Sequence, residues 1–324
     1  MIKRISGKTA NNFTNNKVGL LLLITVFAVA FFYLINPGFL GQSNMLILMK
    51  STSITGILAI GICMLLISGQ IDLSTSALAG LSSVIAATLM NNGAPWPLAV
   101  VAVLLFGAAA GAITAFLVNG LNMMSFIATI GMASIWQGIS YSMTRSGPIK
   151  FNNEGFFKIG TIAFLGELLP LTFVIMAILM VIYGVALSQT KYGRYVYMCG
   201  GNKNAARLAG INPKKVHAML FINSGMLASL GGILLCASMC RGDSTPLSQG
   251  MDAVTAVILG GVAFSGGAGG MGGVFVGLML LSLFNSGLNV ARLLSYWQIF
   301  AQGALLILAL LFDYYREKKQ SLRW

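Results

Sequence analysis

Charged and glycine-bearing positions are so sparse in this chain that each place where they gather calls for a chemical reading. Lys191 to Lys215, KYGRYVYMCGGNKNAARLAGINPKK, holds six of the twenty Lys and Arg residues. Glycines beside basic side chains suit three tasks: cradling a phosphate, resting on an anionic lipid surface, or docking another protein. The first fails on spacing. A phosphate-binding loop ends in Gly-Lys-Ser/Thr five residues after an earlier glycine and follows a strand. CGGNKNAARLAG has no Gly-Lys-Ser/Thr, and SGKT at 6–9 has Ile2 where the earlier glycine belongs. The chain does not bind ATP through a loop of its own.

The carboxylates offer a second chemistry. Ion-coupled carriers keep ionisable groups inside the membrane to handle a proton or sodium. The candidates are Asp72 in SGQIDLSTSALAG and Asp252 in SQGMDAVTAVILGG. Both stand at predicted helix starts, where unpaired N–H groups and the helix dipole favour a negative side chain. No pair of buried acids and no buried Lys completes a relay. His217 sits at another predicted helix start beside Lys214 and Lys215, as a satisfied interfacial histidine. No Cys/His cluster has metal spacing. Cys63, Cys199, Cys236 and Cys240 read as small apolar fillers, none of them in an outside loop. A membrane-embedded enzyme would need a catalytic cluster that these residues do not form.

The elements that position these residues follow from composition. Hydrophobic residues make up 57% of 324 and charged residues 8%, with a mean hydropathy of +0.85. Soluble domains carry roughly 25% charged residues, so this surface faces lipid. Crossing the hydrocarbon takes about 20 apolar residues per helix. Spans are predicted at 18–36, 47–68, 73–90, 97–118, 124–142, 170–188, 215–240, 251–264, 271–290 and 296–312. Asn91-Asn92-Gly93 with Pro95 and Pro97, and NGLN at 119–122, cut the long uncharged run 73–144. The expected fold is an all-α integral membrane protein of about ten transmembrane helices, broken or short near 68–76 and 251–273.

Ten crossings put both ends on one side, and Lys and Arg decide which. Lys3, Arg4, Lys8, Lys17, Arg316, Lys318, Lys319, Arg323 and the six basic residues of 191–215 fall on one side. Lys50, Arg145, Lys150, Lys158, Arg241 and Arg292 fall on the other. Fourteen against six places the termini and the 191–215 segment in the cytoplasm. The expected layout is a tail at 1–17, a single transmembrane domain at 18–312 containing the 191–215 segment, and a tail at 313–324. The first helix is expected to stay uncleaved. The net charge of +13 then needs no nucleic acid, since most of it faces anionic lipid.

Two stretches look like a pathway. SGQIDLSTS at 68–76 interrupts apolar segments, and GGVAFSGGAGGMGG at 260–273 carries eight glycines in fourteen residues. Irregular backbone at membrane depth survives only where protein or a water-filled cavity covers it. Half-helices ending in a cavity are a transporter device; close helix packing through small residues is the other reading. GAITAFLVNGLN (111–122) also echoes GLMLLSLFNSGLN (277–289), as a duplicated half would. In the basic segment, Tyr192–Tyr197 extend the preceding helix and GGN at 200–202 turns. KNAARLAG is predicted to form a short helix that Gly210 ends and Pro213 cannot continue. Ala205, Ala206, Leu208 and Ala209 give it a small apolar face beside Arg207, which fits a partner's groove or merely fixes topology.

YGRYVYMCGGNKNAARLAGI resembles the cytoplasmic coupling segment of permease subunits from ABC importers of the ribose-type monosaccharide branch. SGQIDLSTSALAG (68–80), FIATIGMASIWQGISY (126–141), DAVTAVILGGVAFSGGAGGMGG (252–273) and NSGLNVARLLSYWQIFAQGALLILALLFD (285–313) resemble that family in the same order. One departure is visible. The family pattern commonly reads Gly-Ile-Asp-Leu-Ser-Val-Gly, whereas here Gln70 precedes Ile71 and Thr75-Ser76 replace Val-Gly.

The resemblance implies a homodimeric or heterodimeric inner-membrane pore. Cytoplasmic ATPase subunits holding ATP and Mg lie below it, and a periplasmic sugar-binding protein lies above; this chain binds no cofactor. It also implies that the helix at 203–210 sits in an ATPase cleft, through Asn202, Ala205, Ala206, Arg207, Gly210 and Ile211. The path or gate falls on Asp72, Ser74, Asn119, Phe126 and the turn Ser265-Gly266-Gly267. The mechanism implied is alternating access driven by the ATPases, with no covalent chemistry here. The cargo is a monosaccharide, or a nucleoside or small furanose signal; a stand-alone secondary carrier is the rival.

Overall fold

The computed structural model describes residues 7–311 apart from Ser146, Glu167, Thr245, Pro246, Ser295, Leu306, Ala309 and Leu310. The expected tail at 313–324 lies outside these. The helices are α1 (Gly7–Ile35), α2 (Gln42–Ile67), α3 (Thr75–Asn91), α4 (Trp96–Ala115), α5 (Ser125–Thr144) and α6 (Glu154–Thr161). They continue as α7 (Leu171–Gln189), α8 (Lys191–Gly201), α9 (Lys203–Leu208), α10 (Pro213–Met239), α11 (Leu247–Leu259) and α12 (Met271–Val290). A further helix, α13, covers 296–305. Each of the ten predicted spans falls on one of these helices, and among the described residues the chain is all-α but for two small two-stranded pairings.

Among the described residues, five helices are long and apolar enough to cross a membrane: α2, α4 with the π-turn that follows it, α7, α10 and α12. Their apolar residues are not confined to one face. α2 is buried over nearly all of Thr52–Ile67, and α10 over much of its length, as expected of helices that are hydrophobic all round. By contrast, Leu98, Val101 and Leu105 on α4, Ile127, Ile130 and Ile135 on α5, and Ile178 and Val181 on α7 point outward. Such outward apolar side chains suit hydrocarbon.

Small residues let the inner helices touch backbone to backbone. Gly107 and Gly111 of α4 lie against Gly225 and Phe221 of α10: a Cβ on Gly225 would stand 2.2 Å from the Gly107 carbonyl oxygen. Ser82 of α3 and Ser229 of α10 share a 2.8 Å hydrogen bond. Overpacking such a contact costs about 1–3 kcal/mol, so Gly225→Ala should lower thermal stability in detergent. Gly231→Ala, where a Cβ meets only side-chain carbons at 3.5 Å and beyond, should leave it unchanged.

Local chemistry moves several boundaries. Asn36 accepts a hydrogen bond from the Gly38 amide at 2.9 Å and Pro37 opens a single 3-10 turn. The link from α1 is therefore short, and α2 starts at Gln42 rather than 47. Tyr192–Tyr197 do not extend α7: Thr190 is extended (φ −97°, ψ 161°) and its hydroxyl accepts from the Gly193 amide, opening a separate helix. Gly200 and Gly201 are helical, so the expected GGN turn is made by Asn202 alone. Helix α6, between α5 and α7, was not predicted; Asn153 caps it by accepting from Phe156 N at 3.1 Å. Cys63, Cys199 and Cys236 are buried, but Cys240 ends α10 in the left-handed region (φ 52°) and is exposed. It is not an apolar filler.

Candidate coupling junction and pathway

The two predicted interruptions are real and they meet. α2 stops at Ile67, and 68–74 run without helix into α3. α11 stops at Leu259, and the glycine turn carries the chain to α12 with φ values of +84° at Gly261, +87° at Gly266 and +75° at Gly267. The Gly267 amide donates to the Ile67 carbonyl at 2.8 Å, so the turn caps the open end of α2. α8 closes this junction from the third side. A Cβ on Gly200 would lie 1.8 Å from the Ile67 oxygen and 2.6 Å from the Gly267 nitrogen, and one on Gly266 would lie 3.0 Å from Gly69. Four glycines, Gly69, Gly200, Gly266 and Gly267, thus let three chain segments touch through backbone. The Tyr197 hydroxyl donates to the Gly269 carbonyl at 2.7 Å. Burial pushes its phenol above the ordinary value, with Cys63 adding to the shift, so it stays protonated as that donor.

α9 hangs from this junction. Asn202 caps it twice, accepting from the Asn204 and Ala205 amides at 3.0 Å each. Gly210, at φ +78°, ends it, and the Ile211 amide donates to the Ala206 carbonyl at 3.0 Å. Six residues are too few for a helix to persist alone, so these caps and its packing hold it. The expected apolar face is modified in one respect. Ala206 is fully buried and packs inward, while Leu208 stands 90% exposed beside exposed Ala205, Arg207 and Ala209. The outward knob is Leu208 with Arg207, and Ala206 is its anchor.

The remaining predicted path residues divide. Asp72 is 4% exposed and its carboxylate is fully engaged. Oδ1 accepts from Ser74 N at 2.9 Å and Ser74 Oγ at 2.6 Å, and Oδ2 accepts from Ser224 Oγ of α10 at 3.1 Å. The Ile71 amide donates to Ser125 Oγ at 3.3 Å, which ties the same break to the start of α5. Phe126, next in sequence, is half exposed on α5. Asn119 lies in the π-turn Phe116–Gly120 and donates to the Lys214 carbonyl at 3.2 Å, tying α4 to the start of α10. It lines a cavity of about 330 Å³ with Lys203, Arg207, Lys214 and His217. His217 is buried, and its Nε2 has no hydrogen-bond partner among the described residues, so it is not the satisfied histidine expected. Ser265 is exposed on the glycine turn.

Sequence reasoning missed Gly69 and Gly200, whose neighbours are distant in sequence. It also missed a polar cleft between α2, α11 and α12 at the opposite end of the bundle. The seven-residue spacing of Ser282 and Asn289 on one face of α12 was the available signal.

A buried helical core, two interrupted spans and a protruding capped helix define a membrane-embedded permease. The comparisons carry this further. The family described as "Branched-chain amino acid transport system / permease component" matches residues 44–310. The ribose import permease protein RbsC of Escherichia coli strain K12 is 33% identical over 310 residues, 94% of this chain and 93% of that one. RbsC of Bacillus subtilis strain 168 is 32% identical over 299 residues, 91% of each chain. The L-arabinose ABC transporter permease protein AraH of Azospirillum brasilense is 29% identical over 301 residues, 92% of this chain and 88% of that one. No solved structure matches the chain. The chain belongs to this family of transport-system permease components, and within it resembles ribose import permeases along nearly its whole length.

Proposed function

We propose that this chain is the membrane-spanning subunit of an ATP-driven importer of a monosaccharide, working as a pair with an identical or homologous permease. ATP is hydrolysed with Mg on separate cytoplasmic subunits, and a periplasmic binding protein delivers the sugar. The termini and the α8–α9 segment lie in the cytoplasm of a cell whose inner membrane holds the protein. The carrying observation is the glycine junction. α8 touches the open end of α2 and the turn between α11 and α12 through backbone, so a push on α9 reaches both interrupted spans without a flexible side chain between them. A rigid relay of that kind suits a chain driven from outside itself. Relatives named for ribose import and L-arabinose transport support a pentose-like cargo.

In this reading Leu208 fills an apolar pocket of the ATPase and Arg207 pairs with an acidic residue there, while Asn202, Ala205, Gly210 and Ile211 hold the helix in shape around buried Ala206. Movement at the junction then carries to Asp72, Ser74, Asn119, Phe126 and the Ser265-Gly266-Gly267 turn. Purification of the tagged chain in mild detergent from its native cells should bring an ATPase with it, identified by mass spectrometry. Reversing the charge with Arg207→Glu should abolish sugar uptake while membrane abundance stays normal. Uptake at the unaltered rate in that variant would remove the coupling role.

A further inference from the structure

The end of the bundle away from the glycine junction holds a cleft of about 530 Å³ between α2, α11 and α12. It is polar where lipid would demand otherwise: Ser51, Thr55, Asp252, Ser282, Asn285 and Asn289 line it. Ionisable side chains within spans face the bundle interior or a water-filled cavity. Asp252 is half-buried and has no hydrogen bond or ion pair among the described residues. Among the described residues, no Lys or Arg lines the cleft. Asn285 Oδ1 is buried without a partner, although a buried acceptor left alone costs about 1–3 kcal/mol. Its rim is fixed: Asn44 Nδ2 donates to Ser286 Oγ at 3.0 Å, and Asn289 Nδ2 donates to the Asn285 carbonyl at 3.1 Å.

Two idle acceptors ask for donors, and the surrounding hydroxyls can give or accept. Leu48 and Leu281 supply an apolar wall. Acceptors, hydroxyls and an aliphatic surface together match a ring with hydroxyls on its edge and C–H groups on its face. Ligand pockets span roughly 300–1,000 Å³, so the volume suits a small organic molecule far better than a bare ion.

We propose that this cleft is the permease's own acceptor site for a neutral, polyhydroxylated molecule of monosaccharide size, held through its hydroxyls by Asp252 and Asn285. The inference rests on the import reading above, which supplies the cargo class. The site also stands where it can be served and emptied. Twelve residues of α2 separate Thr55 from Ile67, about 18 Å at 1.5 Å per residue, and the same helix ends in the glycine junction. The cleft and the junction therefore share α2, α11 and α12, so displacing those helices at one end deforms the cleft at the other.

The test is accessibility with protection. Cys240, the exposed native thiol, is removed as Cys240→Ser, and Ser282→Cys, on the cleft wall but not one of the two holding residues, is placed in that background. A membrane-impermeant thiol reagent is applied outside intact cells, with and without saturating D-ribose or L-arabinose, and with sodium chloride at equal concentration. Labelling should be ready, slowed several-fold by a pentose and unchanged by the salt. If that variant fails to accumulate, Ser51→Cys reports on the same cleft from α2 with the same expectation. Slowing by sodium chloride alone would make the cleft a cation site and overturn the proposal. Labelling that neither addition slows would reduce it to an empty vestibule, and no labelling from outside would close it to delivered cargo; both overturn it. Sugar uptake and ATPase association of the unaltered chain test the import reading separately, so a failure of one is not mistaken for the other.

Discussion

Gly200→Ala should give a chain that reaches the membrane poorly, unfolds at a lower temperature and does not support uptake. The added carbon would stand 1.8 Å from the Ile67 carbonyl oxygen, 2.9 Å from its carbon and 2.6 Å from the Gly267 nitrogen. All three are backbone atoms, so no side chain can swing aside. Relief requires α8 to withdraw from α2 or the glycine turn to withdraw from both. The second movement breaks the 2.8 Å bond from the Gly267 amide to the Ile67 carbonyl, and the first strips α8 from the junction. Overpacking costs about 1–3 kcal/mol, and a buried amide and carbonyl left unpaired add roughly 1–3 kcal/mol. Those sums rival a large part of a domain's total stability, about 5–15 kcal/mol. Gly201→Ala is the matched control. It lies in the same helix, gains the same helical propensity, and its Cβ meets nothing within 4 Å. Thermal unfolding of the two purified variants, side by side, measures the difference; equal midpoints would mean that α8 does not pack on the junction.

At Asp72 the expected result depends on what replaces it. Asp72→Leu should destabilise the chain severely, because Ser74 N, Ser74 Oγ and Ser224 Oγ would lose their acceptor. Each buried donor left unmet costs about 1–3 kcal/mol, and leucine has no atom to offer. Asp72→Asn should be far milder. Its amide oxygen still accepts the two bonds from Ser74, and its NH₂ group can donate to Ser224 Oγ, since a hydroxyl accepts as well as donates. Membrane abundance near that of the unaltered chain, with uptake largely kept, is therefore predicted for asparagine. The reading is made by immunoblot of membranes alongside uptake. A well-folded but inactive Asp72→Asn variant would show that the carboxylate's charge serves transport, beyond tying α3 to α10.

The two aspartates illustrate how far a sequence speaks. From the linear pattern they are alike: a carboxylate near a helix start, inside an apolar chain. Folded, Asp72 has both oxygens engaged and Asp252 has none among the described residues, because Ser224 lies 152 residues from the first and no described donor reaches the second. Partnership across that distance is set by which helices lie side by side, and local propensity carries no record of it.

What the sequence determined is what depends on neighbours in the chain. Scarcity of charge dictates a membrane protein whatever the packing, and the polar and glycine interruptions dictate where helices stop. Asn202, Gly210 and Pro213 fix α9 because caps and φ angles act over a few residues. The family motifs are likewise legible in order along the chain. Tertiary structure alone decided that the two interruptions meet, that Gly200 lies where no side chain fits, that Ala206 points inward while Leu208 points out, and that a polar cleft opens between α2, α11 and α12. These are matters of contact between segments remote in sequence. They follow from close packing in three dimensions, where a single methyl group has no room and a single carboxylate has or lacks a partner.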